Sequence, residues 1–196
     1  GLDRDQESLE KARRRLQPFA GSLRLYHDNF KNLPLILNNL ALAPVDGILV
    51  DLGVSSYQLL SPERGFSFQT NEMLDMRMDQ TQRLTAANLV NDLSEKQLSD
   101  IIRQYGEERF AGRISAAIVQ AREQAPIARC AQLAQIISRA VKVRSYKGIH
   151  PATRTFQALR IEVNQELEGL DTFVADALSF LKPGGRIAVI SFHSLE

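Results

Sequence analysis

Cysteine is nearly absent from these 196 residues and tryptophan is wholly absent. The single Cys130 has no partner within the chain, so no disulfide framework can hold the fold, and this usage fits a reducing cytoplasm. The three histidines, His27, His150 and His193, lie far apart in sequence. Their spacing matches no zinc or iron ligand pattern, so no metal is expected. No apolar run approaches the roughly 18 residues that cross a bilayer, and the N-terminus lacks a signal-peptide pattern. Repeats and low-complexity tracts are missing as well. What remains is 44% hydrophobic and 24% charged, a balance that predicts a packed globular core in one domain or two small ones.

Net charge is only +1, yet the charges are segregated. Arg109, Arg113, Arg122, Arg129, Arg139, Lys142, Arg144, Lys147, Arg154 and Arg160 follow one another with Glu123 as the only acid among them. Glu162, Glu166, Glu168, Asp171 and Asp176 come directly after. Such a distribution predicts a basic face for a polyanion such as nucleic acid. Solvated helix faces with chance clustering are the plainer account.

Leu9, Ala12, Leu16 and Phe19 recur at helical spacing, predicting a helix over 3–19. Ser22 to Tyr26 alternates like a short strand, and Val45 to Leu52 is an apolar strand ending beside an acid. Apolar strands separated by helices predict a parallel, doubly wound α/β sheet. Residues 53–83 are rich in Ser, Pro, Gly and Asp with weak periodicity, which predicts a long functional loop. From Thr85 to Val143 only helical patterns occur, including the capping box Ser94-Glu95-Lys96-Gln97 ahead of a helix to Tyr105. A helix over 152–170, another over 173–181, the turn Lys182-Pro183-Gly184-Gly185 and a strand over 186–192 restore the α/β pattern. The expected organisation is therefore 1–82 and 150–196 as two parts of one α/β domain, with 83–149 as a helical insert. The chain opens on Gly1 without an initiator Met and closes inside an apparent motif, Ser191-Phe192-His193-Ser194-Leu195-Glu196. It is expected to be the central part of a longer protein.

Asp3 follows a predicted strand, where an acid can accept hydrogen bonds from both hydroxyls of an adenosine ribose. The same acid could instead cap the following helix. Asp51-Leu52-Gly53-Val54-Ser55-Ser56 lies at the carboxyl end of a strand, the edge where open α/β sheets bind ligands, and Gly53 permits close backbone approach. A hydrolase nucleophile elbow would need a second glycine, and Ser56-Tyr57 stands there instead. No spacing supports a triad of Ser55, His193 and Asp51. Cys130 is expected to be an inert, at least half-buried thiol.

The blocks DLGVSSYQL (51–59), ERGFSF (63–68), LDMRMD (74–79), YGEERFA (105–111), HPATRTFQA (150–158) and SFHSLE (191–196) resemble, in order, the signatures of the bacterial small-subunit (16S) ribosomal RNA cytosine-N4 methyltransferases. The resemblance runs from end to end of the chain. It implies a class I, Rossmann-like S-adenosylmethionine methyltransferase sheet interrupted by an all-helical, RNA-binding insert. It also implies S-adenosyl-L-methionine as cofactor and a cytosine near the decoding site of the small ribosomal subunit as substrate. Asp3 matches the family's ribose-binding acid and Phe30 its adenine-side aromatic, while Asp51 and Gln58 match further cofactor contacts. Leu60 stands where the family commonly has an acid, and the family's glycine-rich cofactor loop would precede Gly1.

The C4 amine of cytosine is a weak nucleophile facing an already activated sulfonium methyl. Alignment and acceptance of an N–H hydrogen bond are therefore the main tasks, assigned here to Asp51, Ser55 and Ser56. Attack at carbon 5 would need a cysteine nucleophile, and Cys130 lies in the helical stretch. Arg139, Lys142 and Arg144 are expected to hold the RNA, whose target base must leave its stack, and Arg77 and Arg154 to organise the target nucleotide, though each could equally form structural ion pairs. A DNA amino-methyltransferase would carry a proline-containing acidic motif in place of Gly53–Ser56. A non-catalytic RNA-binding or ribosome-assembly protein on the same scaffold is the reading from another class. No membrane association is expected, and a homodimer stays open.

Overall fold

The computed structural model describes residues 1–141 and 148–196. It is mixed α/β and divides into two compact units, one formed by Gly1–Gly53 with Glu166–Glu196, the other by Val54–Gln165.

In the first unit the strands are parallel, as the alternation of strand and helix requires. β1 (Leu2–Asp3) pairs with β2 (Tyr26–His27), and β3 (Val45–Asp51) pairs with β4 (Leu181–Ile190). The register runs Ile48 to Ile187, Val50 to Val189 and Asp51 to Ile190, with an irregularity between Val45 and Gly47. The first pair is shorter than the sequence predicts. Ser22 to Leu25 does not join a strand, because a 3-10 turn over Gln17–Ser22, entered at Pro18, takes up the preceding chain. Helix α1 (Gln6–Arg15) likewise begins later than expected. Asp5, not Asp3, is its cap and accepts from the Glu7 amide at 3.0 Å. One side of β3–β4 carries Val50 and Ile48 into an apolar cluster with Leu52, with Phe173 and Ala177 of α9 (Leu170–Ser179), with Phe30 of the 3-10 turn Phe30–Asn32, and with Leu33 at the start of α2 (Leu33–Asn39). Leu49, pointing the other way, is 71% exposed.

In the second unit, α4 (Ala86–Asp92), α5 (Glu95–Gly106), α6 (Ala111–Arg122), α7 (Cys130–Val141) and α8 (Thr153–Asn164) surround one apolar core. Leu98, Ile102, Ile114, Ile118, Leu133 and Leu159 are fully or almost fully buried there. The Ser94 capping box is formed as the sequence predicts. Gly106 lets α5 approach α8, since a Cβ there would lie 2.6 Å from the Arg154 carbonyl oxygen. Helix α8 stops at Asn164, shorter than the expected 152–170, because Gln165 takes a left-handed φ of 48°.

The borders drawn from sequence, 82/83 and 149/150, differ from the packing borders. The segment before Arg83 contributes Phe66, Leu74, Met76 and Met78 to the helical core, and α8 contributes Phe156, Leu159 and Val163.

Candidate functional site

Parallel strands end with their side chains and loops on one edge, and ligands of open α/β sheets bind there. In the first unit the carboxyl ends of the four strands run into Asp3–Asp5, Asp28–Phe30, Asp51–Gly53 and Ser191–Glu196. β1 and β2 bring the first two together, and the Asp28 amide donates to the Asp3 carbonyl at 3.1 Å. The Asp3 carboxylate accepts from the Asp5 amide at 2.8 Å. Burial raises its pKa from the ordinary carboxylate value, opposed by that backbone bond. A half-buried carboxylate in this condition is favoured by further hydroxyl donors.

Phe30 follows Asp28 and Asn29, whose side chains are tied into the turn. Asp28 accepts from the Asn29 amide at 2.7 Å and from the Asn32 amide group at 2.6 Å, and Asn29 accepts from the Lys31 amide. The Phe30 ring meets Phe173 edge-on at 4.9 Å, which fixes its orientation in the apolar cluster. Asp51 ends β3 with an exposed side chain. Gly53 has φ 83°, a left-handed conformation in which a side chain would be strained.

Ser55 and Gln58 belong to the second unit and answer each other. Ser55 caps α3 (Ser56–Leu60) by accepting from the Gln58 amide at 3.2 Å, while the Gln58 side chain accepts from the Ser55 amide at 2.9 Å. This capping box has the same Ser-x-x-Gln spacing as Ser94–Gln97, a signal the sequence reading did not use here, and it makes both residues organisers of the start of α3. Ser56 is the first residue of α3 and is exposed.

The five predicted RNA ligands have separate fates. Arg77 is engaged by its own loop: it grips Asp75 through two bonds of 2.8 and 2.7 Å and donates to the carbonyls of Gln80 and Gln82. Arg154 donates to the Glu107 carbonyl at 3.1 Å. Arg139 is exposed in the last turn of α7 and borders an open cavity of about 370 Å³ lined by Phe68, Ala134, Gln135, Ser138 and His150. The Phe68 ring stacks on His150 at 4.5 Å. Lys142 and Arg144 lie outside the described residues.

A further group was not legible from spacing. Glu166, His193 and Glu196 each place one potential ligand atom within 4.8 Å of the other two. The motif carried the signal only in part, through His193 and Glu196 three residues apart. Glu166 is distant in sequence and arrives by folding.

The family described as the MraW methylase family matches residues 1–196. The chain belongs to the MraW methylase family. It is also 51% identical, over its whole length, to a protein named Ribosomal RNA small subunit methyltransferase H from Desulforapulum autotrophicum, of which it covers 64%. Proteins of the same name from Pelobacter propionicus and Cyanothece sp. are 53% and 54% identical over the whole chain, which covers 63% of each. The chain thus spans less than two thirds of the length of the relatives it matches. Among the described residues, no helix is long and apolar enough to cross a membrane.

Proposed function

We propose that the protein transfers a methyl group from S-adenosyl-L-methionine to the exocyclic N4 of a cytosine in small-subunit ribosomal RNA, near the decoding site. The observation that carries this reading is that Asp3, Phe30 and Asp51 each stand at or just after the carboxyl end of a parallel strand, in two two-stranded sheets, within a chain matched throughout by a methylase family. The names of the relatives supply the substrate class. On this reading the first unit is part of a class I methyltransferase sheet in a cytoplasmic protein, and the second, Val54–Gln165, contains the inserted RNA-binding module over 83–149.

The residues present fit the cofactor. Asp3, raised by burial and holding one amide donor, would accept the ribose hydroxyls, and Phe30 would flank the adenine. When bound, the cofactor supplies a methyl group already activated by a sulfonium charge. The chain supplies alignment. The Asp51 carboxylate and the backbone of the Gly53 turn accept an N–H of the target amine, which directs its lone pair as positive charge develops on nitrogen. Ser55 and Gln58 fix the start of α3 through their capping box, and Ser56, its first residue, offers a further hydroxyl. Arg139, Lys142, Arg144 and Arg154 would hold the RNA backbone while the base is presented unstacked, and Arg77 braces its own loop through Asp75, Gln80 and Gln82.

The test gives the full-length gene product labelled S-adenosylmethionine with unmodified small subunits, naked ribosomal RNA and duplex DNA, followed by mass spectrometry of the labelled nucleoside. Label in N4-methylcytidine from subunits or RNA is expected. Label in DNA would replace the RNA reading with a DNA amino-methyltransferase, and RNA binding without transfer would leave a non-catalytic assembly protein. Asp3→Asn is expected to weaken cofactor binding by roughly tenfold or more, the size of a lost charge-assisted hydrogen bond.

A further inference from the structure

We infer that Glu166, His193 and Glu196 form a binding site for one divalent first-row metal cation, Mn²⁺ or Zn²⁺. The site lies in the first unit beside the Gly53 turn: a Cβ built on Gly53 would lie 3.5 Å from Glu196 Oε1. Nothing in the methyl-transfer reading requires it.

The case begins with burial. The Glu196 side chain is 2% exposed and that of His193 15%, and Glu166 is also buried. Glu196 Oε1 and His193 Nε2 are both shut off from solvent and approach to 3.1 Å, yet neither makes a hydrogen bond of acceptable geometry. Buried polar atoms without such a bond are uncommon and call for a partner.

The donor set is chemically selective. One imidazole nitrogen and two carboxylate oxygens suit Zn²⁺ or Mn²⁺ better than the all-oxygen preference of Ca²⁺. Ligands about 2.1 Å from an ion lie roughly 3.0–4.2 Å from one another, so separations within 4.8 Å need only a small contraction. Three protein ligands leave at least one position for water.

The surroundings hold the ligands in place. Glu196 Oε2 accepts from the Phe192 amide at 2.7 Å, which orients the carboxylate and leaves Oε1 facing the cluster. His193 Nδ1 accepts from the Leu195 amide across a long 3.3 Å. Coordination through Nε2 moves the ring proton to Nδ1 and gives up that bond. The bound ion would tie the start of the 166–196 segment to the end of β4.

The experiment uses the full-length protein, stripped with a chelator and desalted. Mn²⁺ is titrated and its free signal followed by electron paramagnetic resonance; Zn²⁺ is titrated by calorimetry. One ion per chain is expected for at least one metal, and bound Mn²⁺ should show nitrogen coupling from an imidazole in spin-echo spectra. His193→Gln and Glu196→Gln should each weaken binding tenfold or more while circular dichroism stays native. Absence of saturable binding by either ion overturns the inference. So does binding whose stoichiometry and affinity are unchanged in both variants, which would place the ion elsewhere. The wild-type titration decides even if a variant fails to fold.

Discussion

Cys130 shows how one buried side chain acquires a property its sequence neighbours do not announce. Its thiol is fully buried in the core of the second unit and lies 3.3 Å from the Gly65 carbonyl and 3.6 Å from that of Met73, donating weakly. Burial pushes its pKa up to about 11. An unfolded thiol ionises near ~8.5. The folded state therefore keeps the proton that the unfolded state has already lost. Cys130's contribution is complete below that lower value and is lost as the pH rises through about 11. Iodoacetamide at pH 8 is expected to leave the folded thiol unmodified and to label it fully in denaturant. A urea midpoint that falls between pH 8 and 10.5 should fall less in Cys130→Ala. Labelling of the native protein at a free-thiol rate would contradict this. The sequence reading of an inert thiol rested on residue type alone, whereas the carbonyl partners required the fold.

At the scale of elements, the segment 53–83 separates what a sequence shows from what it hides. Its lack of periodicity reads as a functional loop, yet Phe66, Leu74, Met76 and Met78 are buried in the helical core. Periodicity fails because, beyond the short α3 and the 3-10 turn Pro62–Arg64, the backbone here is held by side chains and by isolated long-range main-chain bonds such as Leu74 to Ala128 and Met76 to Arg64. Asn164 on α8 accepts from the Met78 amide at 2.7 Å and donates to the carbonyls of Met76 and Arg160 at 2.7 and 2.8 Å. Arg64, almost fully buried, donates to the carbonyls of Arg77 and Met78. Met76 itself has a φ of 64°. Gly65 is required at its place, where φ is 70° and a Cβ would lie 2.7 Å from the Asp75 amide nitrogen and clash with the Met73 carbonyl. Asn164→Ala strands the Met78 N–H and the Met76 carbonyl in the core, at about 1–3 kcal/mol each. The expected loss of unfolding free energy is about 2–6 kcal/mol in urea titration. A loss below about 1 kcal/mol would mean that Arg64 alone holds the loop.

For the whole molecule, the sequence conveyed the parallel strands, the helical stretch and the strand-end acids, because periodicity and strand-to-turn position are local signals. It did not convey how the basic residues are divided between fold and ligand, which depends on the direction of each side chain. Arg122 donates to the carbonyls of Val90 and Leu93 at 2.8 and 2.6 Å, and Arg129 to that of Asn71 at 2.8 Å. Arg109 lies over the Phe110 ring at 4.6 Å. Several charges in the basic stretch thus secure helix ends and loops. Arg139 is exposed beside the Phe68–His150 stack. If the stretch holds RNA, a phosphate contact and a structural contact must respond differently to salt, because only the former releases counterions. Arg139→Ala is expected to weaken binding of a small-subunit RNA fragment and to lower the slope of log affinity against log salt by about 0.7–0.9 per phosphate lost. Arg122→Ala is expected to lower the urea midpoint and leave that slope unchanged in the folded fraction. Fluorescence anisotropy from low to moderate potassium chloride measures both. An unchanged slope in Arg139→Ala would remove the α7 end from the RNA-binding face, and a changed slope in Arg122→Ala would put the α4–α6 side there instead.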